Sequence, residues 1–102
     1  MASNRTLMVL PGDGVGPEVI KETLRVVDWF AKNKSISFNI KEGLVGGASF
    51  DKYGTPLSDE TLSDAVDADA ILFGAVGSPK YDGVEFEKRP ENGLLRFCLL
   101  YT

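Results

Sequence analysis

The sequence predicts an α/β fold built on a parallel sheet, and three observations carry that reading. Two short apolar runs, Leu7-Met8-Val9-Leu10 and Ala70-Ile71-Leu72-Phe73, each stop at a glycine-bearing turn. A third segment alternates, with Ile36, Phe38 and Ile40 set against Ser37 and Asn39, which is strand periodicity. Helical periodicity fills the gaps between these strands. A strand-helix-strand-helix-strand rhythm implies crossover connections, parallel strands and helices on the sheet faces.

The elements follow in order. Residues 7–10 are apolar throughout, as in a strand buried on both faces, and Pro11-Gly12 ends them. Pro17 beside Glu18 is a helix start signal. Ile20, Leu24, Val27 and Ala31 then recur at helical spacing, and the helix ends near Lys32-Asn33. After the strand at 36–40, Gly43, Gly46 and Gly47 loosen the chain, and Tyr53-Gly54-Thr55-Pro56 reads as a turn. Ser58 is placed as an N-cap, with Asp59 and Glu60 at the favourable end of the helix dipole. Leu57 and Leu62 stand at staple spacing around it, and that short helix runs to about Val66. A third strand follows at 70–73. A polar loop leads to Pro90, and residues 93–102 are apolar enough for one more helix.

Composition narrows the function. The chain has 102 residues, 43% apolar and 25% charged, so it can form a single core. Its net charge is −4, with no basic cluster, which argues against a nucleic-acid partner. No apolar run reaches the roughly 20 residues of a membrane span, and no secretory signal is visible. One cysteine and no histidine leave no internal disulfide, no zinc constellation and no histidine catalysis. The expected setting is a reducing one, the cytoplasm.

Two glycine-rich loops lie beyond the carboxyl ends of strands, where ligands bind in such sheets. Gly12-x-Gly14-x-Gly16 follows a strand and opens a helix, which suits an anion, but its third glycine is one residue early for the dinucleotide fingerprint. Glu42, the nearest acidic candidate for a ribose hydroxyl, lies 26 residues on, too far for that pattern. A tight turn without ligand is an equal reading. In the second loop, Gly74-Ala75-Val76-Gly77-Ser78-Pro79-Lys80, the ammonium of Lys80 suits a phosphate or carboxylate, although a solvated lysine is the simpler assignment. Residues 85–91 read as solvated charge, and Asp64, Asp67 and Asp69 as surface carboxylates. Cys98 sits among Phe97, Leu99 and Leu100 and reads as a buried structural thiol.

Taken together, the motifs resemble the decarboxylating β-hydroxyacid dehydrogenases. The opening segment is Leu10-Pro11-Gly12-Asp13-Gly14-Val15-Gly16-Pro17-Glu18. Val45-Gly46-Gly47-Ala48-Ser49-Phe50-Asp51, Gly54-Thr55-Pro56-Leu57, Gly74-Ala75-Val76-Gly77-Ser78-Pro79-Lys80-Tyr81 and Arg89-Pro90-Glu91-x-Gly93-Leu94-Leu95 point to the isopropylmalate branch. The resemblance runs from residue 6 to about 95. It implies a partial, incomplete three-layer domain of the isopropylmalate/isocitrate dehydrogenase type, not a true Rossmann domain. Residues 1–102 would be the N-terminal part of the first, NAD-binding domain, with the second domain absent.

The same resemblance assigns the cofactor NAD to Ser78, Pro79, Lys80, Tyr81, Asp82, Gly83, Arg89, Pro90 and Glu91. Glu91, Leu94 and Leu95 would face the substrate, a small molecule with an isopropyl group. The implied reaction is NAD-dependent oxidative decarboxylation of 3-isopropylmalate to 4-methyl-2-oxopentanoate, in leucine biosynthesis. The intact family is homodimeric and uses Mg2+ or Mn2+, whose ligands would lie beyond Thr102, with the catalytic groups and the residues that choose NAD over NADP. No catalytic or metal residue is therefore assigned here. Two departures stand out. Ser78 replaces a usual glycine, and Cys98 stands where the family has a substrate-clamping arginine. Arg96, two residues earlier, is turned about 200° round a helix from that place. The 102 residues alone are expected to be inactive. A non-catalytic nucleotide-binding or regulatory α/β module is the alternative, and a folding remnant with a bare strand edge is a third reading.

Overall fold

The computed structural model describes residues 3–100. The chain runs β1 (Ser3–Gly12), α1 (Gly16–Asn33), β2 (Ile36–Glu42), α2 (Gly47–Tyr53), α3 (Asp59–Asp67), β3 (Ala70–Ala75) and α4 (Glu91–Leu100). Two 3-10 turns, Pro79–Tyr81 and Phe86–Lys88, punctuate the connection from β3 to α4. The strands form one parallel sheet in the order β2-β1-β3, an α/β arrangement as the sequence predicts.

Strand β1 is central, so Met8, Val9 and Leu10 are essentially without solvent contact. Alternation sends Met8 and Leu10 to one face and Val9 to the other. On the first face Met8 and Leu10 join Val45, Leu57, Ala65 and Phe97 in the core, which brings α3 and α4 against the sheet. On the opposite face α1 lies across all three strands, with Ile20 buried beside Gly74. The result is a helix-sheet-helix sandwich. Leu24, Val27 and Ala31 of the predicted apolar stripe are only half-buried. Val26, Trp29 and Phe30 are exposed on α1, with Trp29 and Phe30 edge-to-face at 5.1 Å.

Several boundaries differ from expectation. Strand β1 starts four residues earlier than its apolar run because residues 3–6 pair with residues 36–39 of β2. Backbone pairing, not hydrophobicity, extends it. Strand β3 is as apolar as β1 but only half-buried, since among the described residues β1 alone pairs with it. Helix α3 begins as predicted: the Ser58 hydroxyl accepts the Thr61 amide proton at 3.2 Å, and Leu57 and Leu62 both reach the core. Helix α4 opens at Glu91, directly after Pro90, rather than at Gly93. The predicted continuation through Tyr101 and Thr102 lies outside the described residues. Helix α2 was not expected. Its signals were Gly54, which closes it in the left-handed conformation, and Lys52 in its last turn, but the glycines before it masked them. Among the described residues no helix is long and apolar enough to cross a membrane.

Candidate functional site

The site is built at the carboxyl end of the sheet, where the two glycine-rich loops meet. In the first loop the Asp13 amide donates to the Ala75 carbonyl at 2.7 Å, and the Gly16 amide to the Asp13 carbonyl at 2.8 Å. Gly12 has φ +80°, and a Cβ there would stand 1.9 Å from the Ala75 oxygen. Only glycine permits that approach of β1 to β3. The loop's glycines thus serve close packing.

An anion does sit among amide donors here, but it is the chain's own. The buried Asp13 carboxylate accepts from the amides of Gly47 at 2.6 Å, Ala48 at 2.7 Å and Gly77 at 3.1 Å. One side chain therefore joins the first loop, the start of α2 and the second loop. Charge-assisted bonds of this kind are roughly twice as strong as neutral ones. The sequence placed Asp13 inside a glycine motif without giving it a role.

The second loop is anchored on α2. Gly47 has no side chain, and the Tyr81 ring lies where one would be: a Cβ at Gly47 would be 2.1 Å from it. Tyr81 also meets the Phe50 ring edge-on, with centroids 6.2 Å apart. The Tyr81 hydroxyl donates to Asp51 at 2.8 Å, and the Lys80 ammonium donates to the same carboxylate oxygen at 3.0 Å. The Tyr81 hydroxyl, and then Lys80, hold the Asp51 carboxyl below the usual carboxylate range. The Tyr81 phenol is pushed up, first by its bond to Asp51 and then by burial. Asp51 likewise pushes the Lys80 ammonium up. Asp51 was not singled out from sequence, because its partners lie 29 and 30 residues away.

Ser78, Tyr81, Asp82, Arg89, Pro90 and Glu91 line one cavity of about 120 Å³. These are six of the nine residues assigned above to the cofactor. The cavity is smaller than the roughly 300–1,000 Å³ of an ordinary ligand pocket. The Glu91 carboxylate lies over Gly77. Arg89 folds the loop on itself, donating to the carbonyls of Val84 at 3.2 Å and Asp82 at 3.5 Å, with its guanidinium over Phe86. Asn92 also donates to the Phe86 carbonyl. Pro79, Lys80 and Gly83 stand outside the lining. Lys80 turns away to Asp51.

Helix α4 continues this rim. Gly93 and Phe97 take the inward positions, so Glu91, Leu94, Leu95 and Cys98 share the outward side. Leu94 and Leu95 are exposed beside the cavity-lining Glu91. Cys98 is exposed, not buried as expected, because it is about 100° round the helix from Phe97. Arg96 is turned to α3, donating to the Leu57 carbonyl at 2.9 Å and to Asp59 at 2.6 Å. It does not take the place of the missing arginine. Glu42 lies on the far side of α2, with Lys52, Glu60 and Asp64 around a more open hollow. Asp64 pairs with Lys41, and Asp69 accepts from the Thr6 amide. Among the described residues no three carboxylate or thiol groups gather as a metal site.

Comparison with known proteins gives this fold a dehydrogenase class. Residues 6–99 match the isocitrate/isopropylmalate dehydrogenase family, and the chain belongs to that family. Its similar relatives are more particular. It is 52% identical over 94 residues to the 3-isopropylmalate dehydrogenase of Ruegeria pomeroyi, covering 92% of this chain and 26% of that protein. It is 53% identical over 90 residues to that of Nitrobacter winogradskyi, covering 88% and 24%. Among solved structures, a β-decarboxylating dehydrogenase from Thermococcus kodakarensis aligns with TM-score 0.64 and 34% identity, over 91% of this chain and 26% of that one. The isocitrate dehydrogenase of Methylococcus capsulatus shares the fold, with TM-score 0.67 and 24% identity, over 80% of this chain and 22% of that one. The chain spans about a quarter of the length of the curated relatives it matches.

Proposed function

We propose that this chain is part of an NAD-dependent 3-isopropylmalate dehydrogenase, and that its residues belong to the NAD-binding domain. The observation that supports this most is the convergence of Ser78, Tyr81, Asp82, Arg89, Pro90 and Glu91 on one cavity beside Leu94 and Leu95. The loop residues would hold the nicotinamide end of NAD, with Pro79, Lys80 and Gly83 on its outer side. Leu94 and Leu95 would receive the isopropyl group, where burial of apolar area is favourable. A bound NAD supplies the hydride acceptor for oxidation of the substrate's hydroxyl before CO₂ leaves. No ligand for Mg2+ or Mn2+ is assigned among the described residues, where no three carboxylate or thiol groups gather. A cytoplasmic location and assembly as a homodimer belong to the same proposal.

Calorimetric titration of the 102-residue chain with NAD tests the cofactor reading. Saturable binding is expected, and no binding by a chain that melts cooperatively would overturn it. With 3-isopropylmalate, NAD and Mg2+, the chain alone is expected to form no NADH; measurable NADH would overturn that. A second reading, a non-catalytic nucleotide-binding or regulatory module, is favoured by the commitment of Lys80 and Arg96 to the chain's own carboxylates. It predicts saturable binding to a full-length dehydrogenase of the same family.

A further inference from the structure

Between residues 79 and 90 only Tyr81 and Pro90 are buried, and both line the cavity. The shape of the cavity therefore depends on how these two are held. Pro90 is fixed by its place at the head of α4. Tyr81 is fixed by α2: Gly47 is the floor under its ring, Phe50 meets its edge, and Asp51 accepts its hydroxyl proton. The same carboxylate holds the Lys80 ammonium, which also lies 5.3 Å from the centre of the Tyr81 ring. Lys80 is thereby kept out of the cavity lining. Helix α2 is itself secured at its first turn by Asp13. A continuous line of contacts thus runs from the first glycine loop through α2 to the second loop.

We propose that Asp51 is a positioning residue of the cofactor loop: through Tyr81 it fixes one wall of the cavity, and through Lys80 it withholds a cation from it. This inference rests on the cofactor reading above for its ligand, but not for its structural content. Two consequences separate the two arms. Tyr81→Phe removes the hydroxyl bond and leaves the Lys80–Asp51 pair. Asp51→Asn leaves an acceptor for Tyr81 but frees the ammonium. Freed charge near an anionic ligand makes binding more salt-dependent, which a purely structural residue does not do.

The test uses the full 102-residue chain and its Asp51→Ala, Asp51→Asn and Tyr81→Phe variants. Amide hydrogen exchange is read by NMR at residues 79–93, with β1 amides as the internal control. NAD affinity is read at low and moderate salt. Asp51→Ala and Tyr81→Phe are expected to speed exchange at residues 79–93 about tenfold or more while β1 exchange stays unchanged, and to weaken NAD binding by a similar factor. Asp51→Asn is expected to bring the Tyr81 phenol titration down toward the ordinary tyrosine value and to steepen the salt dependence of NAD binding. If Asp51→Ala unfolds the whole chain, Tyr81→Phe decides. Unchanged loop exchange in Tyr81→Phe overturns the proposal, whatever NAD does. Absence of NAD binding by the parent chain, with loop exchange still raised in the variants, overturns the cofactor reading and leaves the positioning role standing.

Discussion

The two glycine-rich loops look alike in sequence and behave differently in the fold. The first, at residues 12–16, is packed against the end of β3, and the amide donors around it go to the buried carboxylate of Asp13. The second gives its Gly77 amide to Asp13, and from Ser78 onward it is open and lines a small cavity. The comparison teaches that a glycine motif at a strand's end is not by itself an anion site. At residues 12–16 the motif carries its own acceptor, the Asp13 carboxylate, which draws donors from two other segments.

Four changes break or sharpen this contrast. The largest effect belongs to the closed loop. Asp13→Ala leaves the Gly47, Ala48 and Gly77 amides without their acceptor, and we expect a loss of about 3 kcal/mol of stability, read by urea denaturation. An unchanged midpoint would show that water replaces the carboxylate at no cost. Gly47→Ala acts where the two loops are joined: its Cβ would intrude on the Tyr81 ring, and overpacking of this kind costs about 1–3 kcal/mol. Its signature is a shifted Tyr81 ring resonance together with a lowered denaturation midpoint.

The third effect concerns pH and is confined to the open loop. Asp51 has a lowered folded pKa, so its contribution is present above the ordinary aspartate value of about 4 and is lost as pH falls through the folded value. Tyr81 has a raised folded pKa, so its contribution is present below the ordinary tyrosine value of about 10 and is lost as pH rises through the folded value. Lys80 follows Tyr81 in direction. Loop amide protection measured against pH is therefore expected to form a plateau with two falling limbs, and Tyr81→Phe removes the tyrosine part of the alkaline one. The smallest effect is Leu95→Ala on the exposed side of α4, with a stability change within about 0.5 kcal/mol by the same denaturation assay.

What was legible in the sequence was local. The proline start of α1, the cap of α3 and their periodicities depend on residues within a turn or two, and Ser58 accepts its amide as the pattern requires. The apolar runs gave the strands at 7–10 and 70–73, but not which strand lies in the middle. Among the described residues β3 pairs with β1 alone, so a run as apolar as that of β1 is only half-buried. Cys98 departs from expectation for a similar reason: a run of four apolar residues from 97 to 100 does not say which one faces inward, and Phe97 does. The residues expected to hold a cofactor come from family resemblance, not spacing, and six of them line one cavity. Asp13 and Asp51 escaped because their partners are far along the chain and only folding brings them near.

That distance has a kinetic meaning. The bonds of Asp13 reach 34, 35 and 64 residues along the chain. Closing such long loops costs entropy before any contact rewards it, a cost these bonds share with the β1–β3 ladder. A late contact leaves the folding rate nearly untouched when it is lost and shows instead in faster unfolding. Asp13→Ala is then expected to speed unfolding more than it slows refolding, as read by stopped-flow urea kinetics.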